Sequence, residues 1–136
     1  MERLALQLAL HGAAILTVSL VAGLFLYRAI LADGNVAKWH LAHSGGSGRG
    51  ILLLALATAI QLTALPLWQV SVFVWLIIFF AWTSTLAMVV AAATGERGLG
   101  WRGSVVNRLV YLLYFAGTVA VFPAAGILIA GLIRAL

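Results

Sequence analysis

Four apolar blocks divide the chain, and short polar segments separate them. They run from Leu4 to Leu31, from Ile51 to Leu65, from Leu67 to Thr94 and from Val105 to Leu132, with Arg134 just beyond the last. At about 1.5 Å per residue, a block approaching thirty residues crosses a bilayer with room to tilt. The second block is short for a span, so its helix is expected to begin earlier, near Leu41 to Gly45. The pattern therefore predicts helices over about 4–31, 43–65, 67–94 and 105–134. These form one all-α, integral membrane four-helix bundle over residues 1–136. Asp33-Gly34-Asn35 is a turn signal that ends the first helix, and Gly95 to Gly100 reads as a loop. Pro66 forces a break, and Pro123 should kink the fourth helix by freeing the carbonyl of Val119. Trp68 and Trp75 suit an interfacial belt. The first block exceeds a signal-peptide core of about 7–15 residues and no cleavage site follows it, so it is expected to remain as a span. There is no internal repeat.

Composition agrees with lipid as the solvent. The chain is 65% hydrophobic and 8% charged, whereas soluble domains carry about 45–50% apolar and about 25% charged residues. The net charge of +5 does not point to nucleic acid, because the basic residues sit at block ends and form no continuous face. Lys38, Arg49, Arg97 and Arg102 lie in the two polar segments, with Arg28 and Arg108 at their edges, against Arg3 and Arg134 at the termini. That asymmetry places the 1–2 and 3–4 loops in the cytoplasm of a bacterial-type inner membrane. No cysteine is present, which excludes disulfides, iron–sulfur clusters and thiolate catalysis. The only acids, Glu2, Asp33 and Glu96, lie outside the apolar interiors, so paired-carboxylate chemistry and a carboxylate proton relay have no candidates.

The chemistry concentrates in Lys38 to Gly50, the longest segment without a sustained apolar run. It holds His40 and His43, two of the three histidines. Spaced i, i+3, they share a face if helical and cannot sandwich one iron. His11 reads most simply as a neutral histidine hydrogen-bonded to a neighbouring helix. It also stands far from His43, because His11 and Tyr27 alone are separated by roughly 24 Å of helix axis. A single protein ligand with an open sixth position is therefore favoured over a bis-histidine haem, and an interfacial histidine with no ligand role stays open. The glycines between His43 and Ile51 would let another backbone or a flat ligand approach closely.

His11-Gly12, Ala42-His43-Ser44-Gly45 leading to Gly50, and Arg97-Gly98-Leu99 together resemble the styrene oxide isomerase family. The similarity runs over most of the chain, in the same order and with nearly constant spacing. It implies a small four-helix membrane protein that binds haem b and assembles as a trimer, with His43 as the axial iron ligand. In that family the ferric haem is a Lewis acid. Epoxide oxygen coordinates iron, the C–O bond opens, and a 1,2-shift gives a carbonyl compound without net redox change.

Three positions depart from the family. Arg49 stands where the family has an asparagine six residues after the ligand, and Phe80 and Met88 stand where it has an aspartate and a tyrosine. Phe80, Ser84 and Met88 fall on one helical stripe, so that wall is expected to be largely apolar. Arg49 and Ser84 are then the nearby polar candidates for catalysis, and Arg49 also for pairing with a haem propionate or lipid phosphate. A chain this thin is expected to hold haem between subunits. Gly117, Ala120 and Ala124, or Ala87 and Ala91, would permit close helix contact there. The implied partners are other copies of the chain, membrane lipid and a small apolar substrate. The alternatives are a non-catalytic haem protein that senses or stores a gas or haem, and a haem-free structural membrane protein.

Overall fold

The computed structural model describes residues 1–136 and contains helices α1 (Glu2–Leu31), α2 (Val36–Ala59), α3 (Leu67–Thr94) and α4 (Val105–Ile133). All four are long and apolar enough to cross a membrane. At 30 residues α1 is about 45 Å long, more than the roughly 30 Å hydrocarbon core, so its ends reach the headgroups or it tilts.

The α1–α2 connection is tight. Asp33 takes a left-handed conformation (φ 48°) and the Gly34 amide donates to the Ala29 carbonyl at 2.8 Å. Helix α2 then starts at Val36, not near residue 43 as the hydropathy suggested, and closes at Ala59 with one 3-10 turn over Ile60–Leu62. The whole Lys38 to Gly50 segment is helix. The physical reason is that backbone crossing lipid must close its own hydrogen bonds, so glycines weak in a water-exposed helix stay helical here. Their lost side chains are also used, because they let α1 come close.

Thr63 to Pro66 is extended, pinned to the end of α4 by the Ala64 amide donating to the Gly131 carbonyl at 3.2 Å. Gly95 (φ 78°) caps α3 in the left-handed conformation. The following loop is built around Asn107. Its amide nitrogen donates to the carbonyls of Gly100 (3.0 Å) and Arg102 (2.7 Å), and its oxygen accepts from the Gly98 amide at 2.9 Å. Ser104 caps α4 by accepting from the Asn107 amide, and α4 continues through Pro123 to Ile133.

Helix α3 is the centre of the molecule. It packs against α1, α2 and α4, whereas α4 packs almost wholly on α3. Of its most apolar stretch 56% is buried, against 22% in α1 and α4 and 28% in α2. The main core lies toward the termini, where Leu8, Ile15, Leu53, Phe73 and Ile77 interlock. A smaller core of Ala22, Ala42, Met88 and Ala92 lies toward the polar loops. The small residues of α3 and α4 are spent inside the subunit, which corrects the expectation that they meet a neighbour. Ala87 and Ala91 pack with Val110, Ala120 and Ala124 are buried, and a Cβ on Gly117 would come within 2.7 Å of the Thr83 hydroxyl oxygen. The outward face of α4 carries Phe115, Val119 and Phe122 instead.

Candidate functional site

Helices α1 and α2 meet at backbone distance. A Cβ on Gly12 would stand 2.9 Å from the Gly50 carbonyl oxygen, and one on Gly50 would stand 2.9 Å from the Gly12 carbonyl oxygen. That contact brings the wholly buried Ser19 against α2. The Ser19 hydroxyl donates to the His43 carbonyl and lies 2.7 Å from the Ser47 hydroxyl. Its one proton is used on the carbonyl, so Ser47 is the donor to Ser19.

His43 completes the clasp. Its Nδ1 lies 2.8 Å from the Ser19 carbonyl oxygen, and its ring covers Gly23, where any Cβ would stand 3.0 Å from Nδ1. A carbonyl can only accept, so the neutral ring carries its proton on Nδ1 and keeps the Nε2 lone pair. No hydrogen bond within the chain engages Nε2. The half-buried ring is therefore oriented by one nitrogen and available through the other.

The other two histidines differ. His40 is exposed, and only its backbone carbonyl is engaged, by the Ser44 hydroxyl at 2.8 Å. His11 accepts a hydrogen bond from the Trp82 indole at 3.0 Å and meets Trp75 and Trp82 edge-on. It ties α1 to α3. No three His, Asp or Glu side chains converge, so no metal cage is built from side chains alone.

Arg49 points to a different neighbour. Six residues on from His43, it lies about 9 Å further along α2 and roughly 240° around it. Its Nε donates to the Ser84 hydroxyl at 2.6 Å and its Nη1 to the Gly45 carbonyl at 2.8 Å. The Met88 sulfur lies 3.7 Å from Nη1, and the guanidinium carbon sits 5.5 Å from the centre of the Phe80 ring. Ser84 passes its own proton to the Phe80 carbonyl at 2.5 Å. Arg49 and Ser84 are thus brought together, with Phe80 and Met88, while His43 stands on the other side of α2.

A cleft of about 180 Å³ descends beside this cluster from the polar end. Lys38, Leu41, Glu96, Arg97 and Leu99 ring its mouth, and Met88, Ala91 and Tyr114 line its inner wall. Lys38 also donates to the Gly95 carbonyl, joining the polar ends of α2 and α3. The largest crevice, about 480 Å³, lies at the opposite end beside Met1, Arg3 and Leu67.

The family model for styrene oxide isomerase matches residues 4–133. The chain belongs to the styrene oxide isomerase family. No curated protein matches it. The match takes in all four helices, so this is a multi-pass membrane protein of an isomerase family. It also turns the three departures from the styrene oxide isomerase pattern into one fact, because Phe80 and Met88 both lie against Arg49. Sequence reasoning missed Ser19, Ser47, Gly23, Trp82 and Tyr114. Gly12, Ser19 and Gly23, spaced by seven and four residues, form a small-residue stripe that could have pointed to the α2 contact. Nothing in the sequence singled out Tyr114.

Proposed function

We propose that this chain is a haem b-dependent epoxide isomerase in which His43 Nε2 is the iron ligand. The observation that carries the reading is the hydrogen bond from His43 Nδ1 to the Ser19 carbonyl. A ligating histidine needs its other nitrogen held by an acceptor, which fixes the tautomer and raises the basicity of the ligating atom. Gly23 beneath the ring fits the same role, since it leaves the imidazole room to lie flat on α1. When bound, ferric haem supplies Lewis acidity for opening an epoxide C–O bond.

The chain's own residues do the rest. Ser19 and Gly23 fix the ring, and Ser47 holds Ser19. The apolar walls exclude water from the reacting carbon, so the product is a carbonyl compound and not a diol. Arg49 offers a positive charge and N–H donors on the α3 side of α2, where they can hold the substrate in place. His43 lines none of the crevices of the single chain, and the two of about 180 and 190 Å³ fall short of the roughly 300–1,000 Å³ of an enclosing ligand pocket. That favours a haem shared between subunits of a homo-oligomer, a trimer in the family pattern. With Arg49 inside α2, five basic residues near the loops (Arg28, Lys38, Arg97, Arg102 and Arg108) against two at the termini still favour cytoplasmic loops in an inner membrane.

One observation favours a second reading, a non-catalytic haem protein. Ser84 is used up by Arg49 and the Phe80 carbonyl, which leaves the wall poor in free polar groups. Absorption spectra of the purified protein, oxidised and reduced, test the cofactor. Conversion of aryl epoxides to aldehydes separates the two readings. Absence of a Soret band after expression with haem supply would end both.

A further inference from the structure

We propose that Arg49 anchors a carboxylate, so that the ligand taken between α2, α3 and α4 is a small apolar molecule bearing an acid group. The inference rests on the isomerase reading only in making that ligand the substrate; the carboxylate site itself needs no haem.

Arg49 sits deep. Helix α2 runs from Val36 to Ala59, so the residue stands 13 positions from one end and 10 from the other. A cation at that depth is unfavourable unless something compensates it. Its partners are all neutral: the Ser84 hydroxyl, the Gly45 carbonyl, the Met88 sulfur and the Phe80 ring. A guanidinium has five N–H donors, and Nη2 makes no hydrogen bond within the chain. No carboxylate serves it. Glu2 and Asp33 lie at the ends of α1, and Glu96, at the cleft mouth, accepts from the Ser104 hydroxyl. The titratable neighbour is the Tyr114 phenol, which lines the cleft and has no hydrogen bond of its own.

The cleft supplies the route and the selectivity. Lys38 and Arg97 at the mouth attract an anion, and Met88, which lines the cleft, has its sulfur 3.7 Å from Arg49 Nη1, so the guanidinium stands directly behind the cleft wall. Its apolar lining and volume of about 180 Å³ suit a small ring or short chain. A planar carboxylate matches the guanidinium fork, and Tyr114 can donate to its second oxygen. A lipid phosphate belongs at the headgroup level and not at this depth.

The test uses purified full-length protein in detergent, titrated calorimetrically with phenylacetate and with its neutral isostere phenylacetamide. Phenylacetate should bind about tenfold tighter or more. Arg49→Gln should abolish the preference, and Arg49→Lys should keep part of it, having charge without the fork. Should Arg49→Gln fail to fold, Tyr114→Phe carries the test by weakening the acid and leaving the amide unchanged. Equal binding of the two probes by the wild-type protein overturns the proposal, as does an undiminished preference in Arg49→Gln. So does loss of haem from Arg49→Gln together with weak binding of haem whose propionates are methyl esters, because the carboxylate would then be the cofactor's. Displacement of phenylacetate by phosphatidylglycerol micelles, with no amide discrimination, would assign the site to lipid and also sink it. Protein that never holds haem yet prefers the acid would end the isomerase reading and support this one.

Discussion

Two faces of α2 hold polar groups in lipid by opposite means. Toward α1 the helix presents His43, Gly46, Ser47 and Gly50. The missing side chains bring backbone close enough for Ser19 to meet both the His43 carbonyl and the Ser47 hydroxyl. On that face one polar atom, Nε2 of His43, is left with no bond in the chain. Toward α3 the same helix presents Gly45 and Arg49, and bulk fills the space. The guanidinium rests against an aromatic ring and a thioether, with one hydroxyl and one carbonyl as strong acceptors. Close approach yields an oriented neutral ligand, and filling with large neutral groups yields an unpaired cation. The first arrangement suits a metal and the second an anion.

The sharpest way to break that contrast is at His43. His43→Ala should lose most bound haem, a fall of about tenfold or more in Soret absorbance per protein. His40→Ala and His11→Ala should retain it. A full, unshifted Soret band in His43→Ala would remove the ligand assignment altogether.

Next comes the Arg49 face. Arg49→Asn combined with Met88→Tyr restores two of the family's polar side chains. Turnover of a neutral aryl epoxide should rise by roughly one to two orders of magnitude, given what one well-placed donor contributes to a developing oxyanion. Unchanged turnover in haem-loaded double variant would mean that the cluster does not face the reacting group.

The glycine contact offers a smaller effect with an internal control. On Gly50 a Cβ would stand 2.6 Å from Leu16 Cγ and 2.9 Å from the Gly12 carbonyl oxygen, whereas around Gly48 nothing lies within 4 Å. Gly50→Ala should destabilise by about 1–3 kcal/mol through overpacking. Gly48→Ala should be neutral or stabilising by up to about 1 kcal/mol. Unfolding in mixed micelles reads both, and equal effects would show that helix propensity, not proximity, governs this face.

The smallest effect concerns Thr85, which is wholly buried beside Gly46 with a hydroxyl that has no partner. Thr85→Val removes an unsatisfied polar atom at nearly constant volume and should stabilise by about 1 kcal/mol. A loss of stability in the same unfolding assay would reveal a partner for that hydroxyl.

Much of this molecule was legible in order of residues alone. Hydropathy marked four spans because lipid forces each crossing segment to close its own backbone bonds, whatever its neighbours do. The end of α3 before Gly95 and the start of α4 at Val105 followed from the limits of the apolar blocks and the loop composition of Gly95 to Gly100. The Ala42-His43-Ser44-Gly45 element pointed to the family that residues 4–133 match. The start of α2 was misplaced because four glycines and two serines lower hydropathy without breaking a helix whose backbone is shielded from water.

What only the tertiary structure decided is rotation. Whether His43 and Arg49 share a site depends on how α2 is turned about its axis between α1 and α3. That angle is set by the Gly12–Gly50 contact and by Ser19, which lies 24 residues from the carbonyl it serves. The union of Arg49 with Ser84, 35 residues away, and the return of α4 that brings Tyr114 beside them, are likewise properties of packed helices. No local pattern encodes them, because the energy that selects them comes from surfaces meeting across the bundle.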